Sequence, residues 1–206
     1  MLIDIPYDPA RAVEYAKAWA LQRNPLFPDF AGIGGDCTNF VSQCLLAGGA
    51  TMNDTRDFGW YYFSPENRAP AWSGVEYLYN FLTGDPEYLR ENGGEGPYAR
   101  EVTFAEGVRE GDVVQLADTT GDYYHTLIIT GFDGQIPLVC AHNDDAYMRP
   151  LSTYRFGTAR FLRPMGTRLY ADTTAAYREL LQGMAYRPPM LTTAEILLGR
   201  GQAPTM

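Results

Sequence analysis

The run Gly32-Ile33-Gly34-Gly35-Asp36-Cys37-Thr38-Asn39-Phe40-Val41-Ser42-Gln43-Cys44-Leu45-Leu46-Ala47-Gly48-Gly49 reads as a glycine-rich approach, one helix and a glycine stop. Asp36 is placed to cap the free N–H groups of the first turn, and Gly48-Gly49 supplies a left-handed residue to end it. Cys37, Phe40, Val41, Cys44 and Leu45 recur at helical spacing and share one face, which is expected to be buried. Cys37 therefore falls in the first turn of a core-facing helix, where exposed N–H groups and the positive end of the macrodipole favour a thiolate. The adjacent Asp36 charge opposes that thiolate, so a nucleophilic role requires a histidine partner. The competing reading is a small buried hydrophobe, which suits Cys44 better than Cys37.

The 206 residues suit one domain with an appendage, and apolar (46%) and aromatic (14%) contents are those of a globular protein. A formal charge of −9 leaves no basic stripe to track phosphates, so nucleic acid is excluded as a partner. No apolar run is long enough for a membrane span. Met1 to Pro6 lacks the features of a signal peptide, which fits a cytoplasmic protein or a trimmed form of one exported without a Sec-type signal. Three cysteines without a CxxC pattern argue for reduced thiols rather than a disulfide scaffold or a cysteine-rich zinc site.

Asp8-Pro9 opens a helix that runs to about Arg23 and stops at Asn24-Pro25. From Thr51 to about Arg100 the chain is irregular and aromatic, with one helix expected over 73–83 and capped by Ser73. Trp60, Tyr61 and Trp72 are candidates to bind substrate in a cleft, and the competing reading makes them core. Strands follow at 113–116, 125–130, 136–142 and 159–162, the last ending at Pro164. Asp133-Gly134 marks a hairpin. With Phe132 facing Gln135, the register places the two histidines, His125 and His142, directly opposite each other on one face, roughly 5 Å apart at Cβ. Asn143 then points to the other face.

A cysteine at a helix start, a histidine opening a strand and a further polar residue on the next strand make the thiol analogue of the serine triad. In this reading His125 takes the thiol proton and His142 holds its imidazole. A zinc centre would instead need Asp36, Asp144 or Asp145 beside the histidines. The cysteine segment, with Tyr15-Ala16, Asn24-Pro25, Trp60-Tyr61-Tyr62, Gly111-Asp112-Val113-Val114-Gln115, His125 to Thr130, Ala141-His142-Asn143-Asp144-Asp145 and Pro150-Leu151, closely resembles the Putative amidase domain family of bacteria, which looks like a branch of the papain-like NlpC/P60 and CHAP superfamily. The likeness covers roughly residues 7 to 163. It implies Cys37 as nucleophile, His125 as base, His142 as third member with Asn143 as the alternative, and the Cys37 backbone N–H as an oxyanion donor. Asn143 stands where the family usually carries threonine. Asp36, Asn39 and Gln43 are expected to support that hole or tie down the loop before Cys37.

The expectation is thus an α+β, papain-like (NlpC/P60-type) domain over 1–166, with N-terminal helices on a small antiparallel sheet, and a helical extension over 167–206. The extension folds back, mediates self-association or enters the cleft; the residues leave these open. No cofactor and no metal are expected. The partner is a peptide or amide substrate, with peptidoglycan stem peptides implied by the resemblance, and the reaction is hydrolysis through a thioester. Acyl transfer by the same triad and a silent peptide-binding module are the alternatives.

Overall fold

The computed structural model describes residues 2–170. Its elements are β1 (Leu2–Pro6), α1 (Pro9–Trp19), α2 (Cys37–Ala47), β2 (Tyr62–Ser64), β3 (Asn67–Arg68), α3 (Pro70–Ser73), α4 (Val75–Thr83), α5 (Pro86–Asn92), β4 (Gly96–Val102), β5 (Val113–Ala117), β6 (Tyr123–Asp133), β7 (Ile136–Ala141), β8 (Ala146–Pro150) and β9 (Thr158–Tyr170). Apart from the short β2–β3 ribbon, the strands form one seven-stranded sheet, in the order β1-β9-β5-β6-β7-β8 with β4 also on β9. Every pairing is antiparallel. The fold is α+β, as the alternation of helical and strand spacing implies. Among the described residues no helix is long and apolar enough to cross a membrane.

Helices cover one face of this sheet. Val113, Ile128, Cys140 and Leu162 point into the core formed with α1, α2 and α4, whereas Val114, Leu116, Leu127, Ile129, Val139 and Ala141 point to a second core under Leu151. This is the period-two alternation of strands buried on both sides.

α2 departs from the expected one-sided amphipathic helix because all eleven of its residues are buried. Burial of its polar side is tolerable because each polar group has a partner. The Thr38 and Thr126 hydroxyls lie 2.9 Å apart, the Tyr15 hydroxyl donates to Gln43 Oε1 at 2.7 Å, and Ser42 Oγ donates to the Trp72 carbonyl at 2.8 Å. Ser42 in turn accepts from Trp60 Nε1 at 3.0 Å, and Asn39 Oδ1 accepts from Trp72 Nε1 at 2.7 Å. Trp60 and Trp72 are 0% exposed and Tyr61 is buried, which corrects their reading as cleft residues: the indoles brace α2 from within. Gln43 ties α2 to α1 rather than to the loop before Cys37.

Several boundaries differ for local reasons. α1 ends at Trp19, four residues short of Arg23, and its freed Trp19 carbonyl is taken by a side chain from β7's end. The helix expected from Ser73 is two pieces meeting at Gly74, and Ser73 Oγ accepts from Arg68 Nε instead of capping. α5 had the same Asp-Pro signature as α1, with Asp85 accepting from the Glu87 N–H and Gly93 left-handed at its end. β9 passes through Pro164 because a bulge against Tyr98/Ala99 absorbs the missing N–H, and Thr167 to Tyr170 pair with β1. The sheet therefore continues across the boundary expected at 166. The helices expected in the extension lie outside the described residues.

Replacing Trp72 by Phe should remove the donor to Asn39 and leave a buried acceptor unpaired, at a cost of about 1–3 kcal/mol in urea unfolding. Unchanged stability would instead assign the indole to the surface.

Candidate active site

Asp36 is the centre of the site. It precedes α2 yet makes no side-chain cap, contrary to the expectation, because its oxygens are used elsewhere. Oδ1 accepts from the Phe30 N–H at 3.1 Å and from Asn39 Nδ2 at 2.7 Å; Oδ2 meets His142 Nδ1 at 2.6 Å and Arg23 Nε at 3.2 Å. Burial raises the Asp36 pKa, but the hydrogen bonds from His142, Asn39 and Phe30 outweigh it and hold the carboxyl below its usual range. Asn39 also donates to the Pro28 carbonyl, so it secures the connector as expected.

Arg23 joins three segments around this carboxylate. Its Nε lies 3.2 Å from both Asp36 and Asp29, and its two Nη atoms grip Asp145 at 2.9 and 3.0 Å. The bidentate fork ties the loop after β7 to the end of α1. No spacing rule marks Arg23 in the sequence, since its partners are 6, 13 and 122 residues away.

The facing-histidine register is overturned. At the hairpin tip Asp133 pairs with Ile136, and a bulge between Ile129 and Gly131 shifts the ladder so that Ile128 pairs with Cys140. Continued outward, this register sets Thr126 across from His142 and His125 across from Asn143. A one-residue shift exchanges the faces of every later side chain. His142 consequently lies on the helix side, stacked on Phe40 at 4.0 Å between centroids, with Nδ1 on Asp36 and Nε2 2.9 Å from the Trp19 carbonyl. The Trp19 carbonyl can only accept, so Nε2 is placed to donate to it while Nδ1 faces the Asp36 carboxylate. Neither nitrogen remains to hold His125.

Cys37 and His125 each precede one threonine of a single clamp. The Thr38–Thr126 contact clamps the start of α2 to the start of β6, and the Thr126 backbone N–H reaches the Cys37 sulfur. Burial raises the thiol pKa; the N–H groups of Thr126, Thr38 and Cys37 and the Thr38 hydroxyl oppose it without prevailing. His125 is buried, and desolvation lowers its pKa to about 4, with Asp144 opposing and Arg149 assisting. The resting pair is thus a neutral thiol and a neutral imidazole near pH 7. Among the described residues the His125 ring has aromatic neighbours, Tyr124 and Tyr154, each 6.1 Å away, and no hydrogen bond to the sulfur.

Asn143 adopts a left-handed backbone (φ 81°) and accepts from the Asp36 N–H at 2.5 Å, with its Nδ2 so close to Gly35 that a Cβ there would come within 2.8 Å. Gly35 itself has φ 114°, so the glycine approach is required twice over. His125 opens onto a pocket of about 440 Å³ lined also by Tyr124, Asn143, Asp144, Arg149 and Tyr154. Of these, Tyr124, Arg149 and Tyr154 carried no signal in the sequence. Among the described residues no three His, Cys, Asp or Glu side chains converge into a metal-holding group. The three cysteines are free.

Two outcomes follow from these environments. A histidine whose folded pKa is depressed stabilises the fold fully above its unfolded value of 6.5 and loses that contribution as pH falls toward 4, so acid should cost about 3 kcal/mol over that interval. His125→Gln should flatten this part of the stability–pH curve. Asp36→Asn should cost about 3–5 kcal/mol in urea unfolding at neutral pH, because it breaks a buried network and takes the carboxylate from the buried His142 ring, while Arg23 keeps Asp29 and Asp145.

The model of the Putative amidase domain family matches residues 6–162. The chain is also 37% identical over 148 residues to "Uncharacterized protein YhbB" of Bacillus subtilis (strain 168), which covers 69% of this chain and 43% of that protein. The chain thus spans less than half the length of this curated relative. No solved structure matches it. The family description points to amide hydrolysis in general terms, and the matched span contains α2, β6, β7 and the loop after β7, where the residues of this site reside. The chain belongs to the Putative amidase domain family.

Proposed function

We propose that the protein is a cysteine amide hydrolase of papain-like type, with Cys37 as nucleophile and His125 as general base. The observation that supports this reading is the clamp between Thr38 and Thr126, because Cys37 and His125 are the residues that precede them on α2 and β6. A neutral imidazole is the form that can take a proton, and a buried thiol needs such a base.

In the first half-reaction His125 accepts the Cys37 proton as the sulfur bonds to the amide carbon. The oxyanion is met by the Cys37 backbone N–H at the positive end of α2. Collapse breaks the carbon–nitrogen bond, His125 gives its proton to the departing amine, and a thioester remains. Water, deprotonated by His125, then releases the acid and restores the thiol. Asp144 favours the imidazolium that forms transiently, since its charge acts to raise the His125 pKa. In this reading Asn143, which holds the Asp36 N–H, and the Asp36–His142–Arg23 group are positioning residues for the nucleophile loop.

Peptidoglycan stem peptides are the first substrate class to assay, on family likeness. Digestion of purified peptidoglycan and of a mixed peptide library should release new amines with the wild type, detected by mass spectrometry. Cys37→Ala and His125→Ala should each lower release by at least about 10³-fold while retaining the wild-type melting transition. Hydrolysis surviving in folded Cys37→Ala would sink the cysteine mechanism.

A further inference from the structure

The pocket beside His125 carries a charge opposite to that of the chain. Three ionised side chains line it, Arg149, Arg155 and Asp144, so its balance is positive in a protein of formal charge −9. Arg149 is held on several sides: Nη1 lies 2.5 Å from Asp144 Oδ2, Nε donates to Thr153 Oγ1 at 2.9 Å, and the guanidinium lies 4.1 Å over the Tyr154 ring. Thr153 is itself fixed by its bond to the Pro150 carbonyl at 2.8 Å. Arg155 has no carboxylate partner among the described residues. Its backbone carbonyl accepts from the Tyr124 hydroxyl at 3.1 Å, which anchors the Arg155 segment to the strand that carries His125.

We propose that this pocket is a subsite for a carboxylate on the substrate, near the amide bond that is cut, with Arg155 as the main anchor and Arg149 as a second donor. The proposal rests on His125 being the general base, because that role puts the pocket beside the reacting amide. A guanidinium fork matches a carboxylate with two parallel hydrogen bonds, and a preordered Arg149 loses little freedom on binding. Tyr124 and Tyr154, flanking His125, supply flat walls for the intervening substrate atoms. The volume of about 440 Å³ suits a ligand of one or two amino-acid residues. Field focusing sharpens the choice: elsewhere the net negative chain repels an anion, so a carboxylate gains from this pocket in particular.

The test is binding, which requires no turnover. N-acetylglutamate α-amide and N-acetylglutamine α-amide, which differ only in a carboxylate, are titrated into the full-length wild type and Arg155→Gln. Tyrosine and histidine ring resonances are followed by NMR. The acidic probe should bind wild type at least about tenfold more tightly than the neutral one, and Arg155→Gln should abolish the difference while leaving the unliganded spectrum folded. Added salt should weaken only the acidic probe's binding. Equal shifts by the two probes, including none by either, or discrimination that persists in Arg155→Gln, would overturn the subsite. Failure of the hydrolase reading would show differently, as amide cleavage that ignores Cys37.

Discussion

One buried carboxylate organises the site end of this protein. Asp36 sits where the connector becomes α2, and its two oxygens are shared among a backbone N–H, an amide, an imidazole and a guanidinium from four places in the chain. A charge buried to this degree would be costly alone, and it is stabilised only because cations and donors converge on it. The convergence has a structural consequence: α1's last carbonyl, the connector, the start of α2 and the loop after β7 cannot move independently. The Cys37 backbone, one residue on, takes its direction from that junction.

The same pairing answers an electrostatic problem at the nucleophile. A bare carboxylate beside Cys37 would oppose thiolate formation and cancel the favourable end of the α2 dipole. Hydrogen bonds from His142, Asn39 and the Phe30 N–H, with Arg23 alongside, occupy both Asp36 oxygens, so the carboxylate beside the sulfur is not bare. Burial still keeps the thiol protonated at rest. The protein therefore combines a rigid, hydrogen-bonded support on the helix side of the sheet with an open, net positive pocket around His125. Two histidines separated by seventeen residues serve these two different environments, one wholly enclosed and one lining a cavity.

Local chemistry was legible in the residues. The glycines before and after α2, the Asp-Pro start of α1 and the apolar alternation of β5 to β7 each state a short-range preference that the structure keeps, whereas the hairpin turn falls one residue later than expected, on Gly134-Gln135. The glycine approach to α2 was legible too, and the structure gives it a local reason: Gly35 has φ 114° and lies against Asn143. The aromatic segment was harder. Trp60 and Trp72 look alike in sequence whether they line a cleft or fill a core, and the choice was made by the indole N–H groups finding Ser42 and Asn39 inside.

By itself the sequence determined the α2 helix, the strand alternation and the identity of the candidate sulfur and imidazole, all of which depend on neighbours within a few residues. Only the tertiary structure decided that His142 belongs to Asp36 rather than to His125. A single bulge near Thr130 moves β7 by one position against β6, and with a side-chain period of two that is enough to send the second imidazole to the opposite face. Within the hairpin Pro137, which cannot donate to a ladder, hints at a register shift but does not locate the bulge. It matches the position at which His142, Arg23 and Asn39 can together satisfy a buried carboxylate, a condition written across residues more than a hundred positions apart.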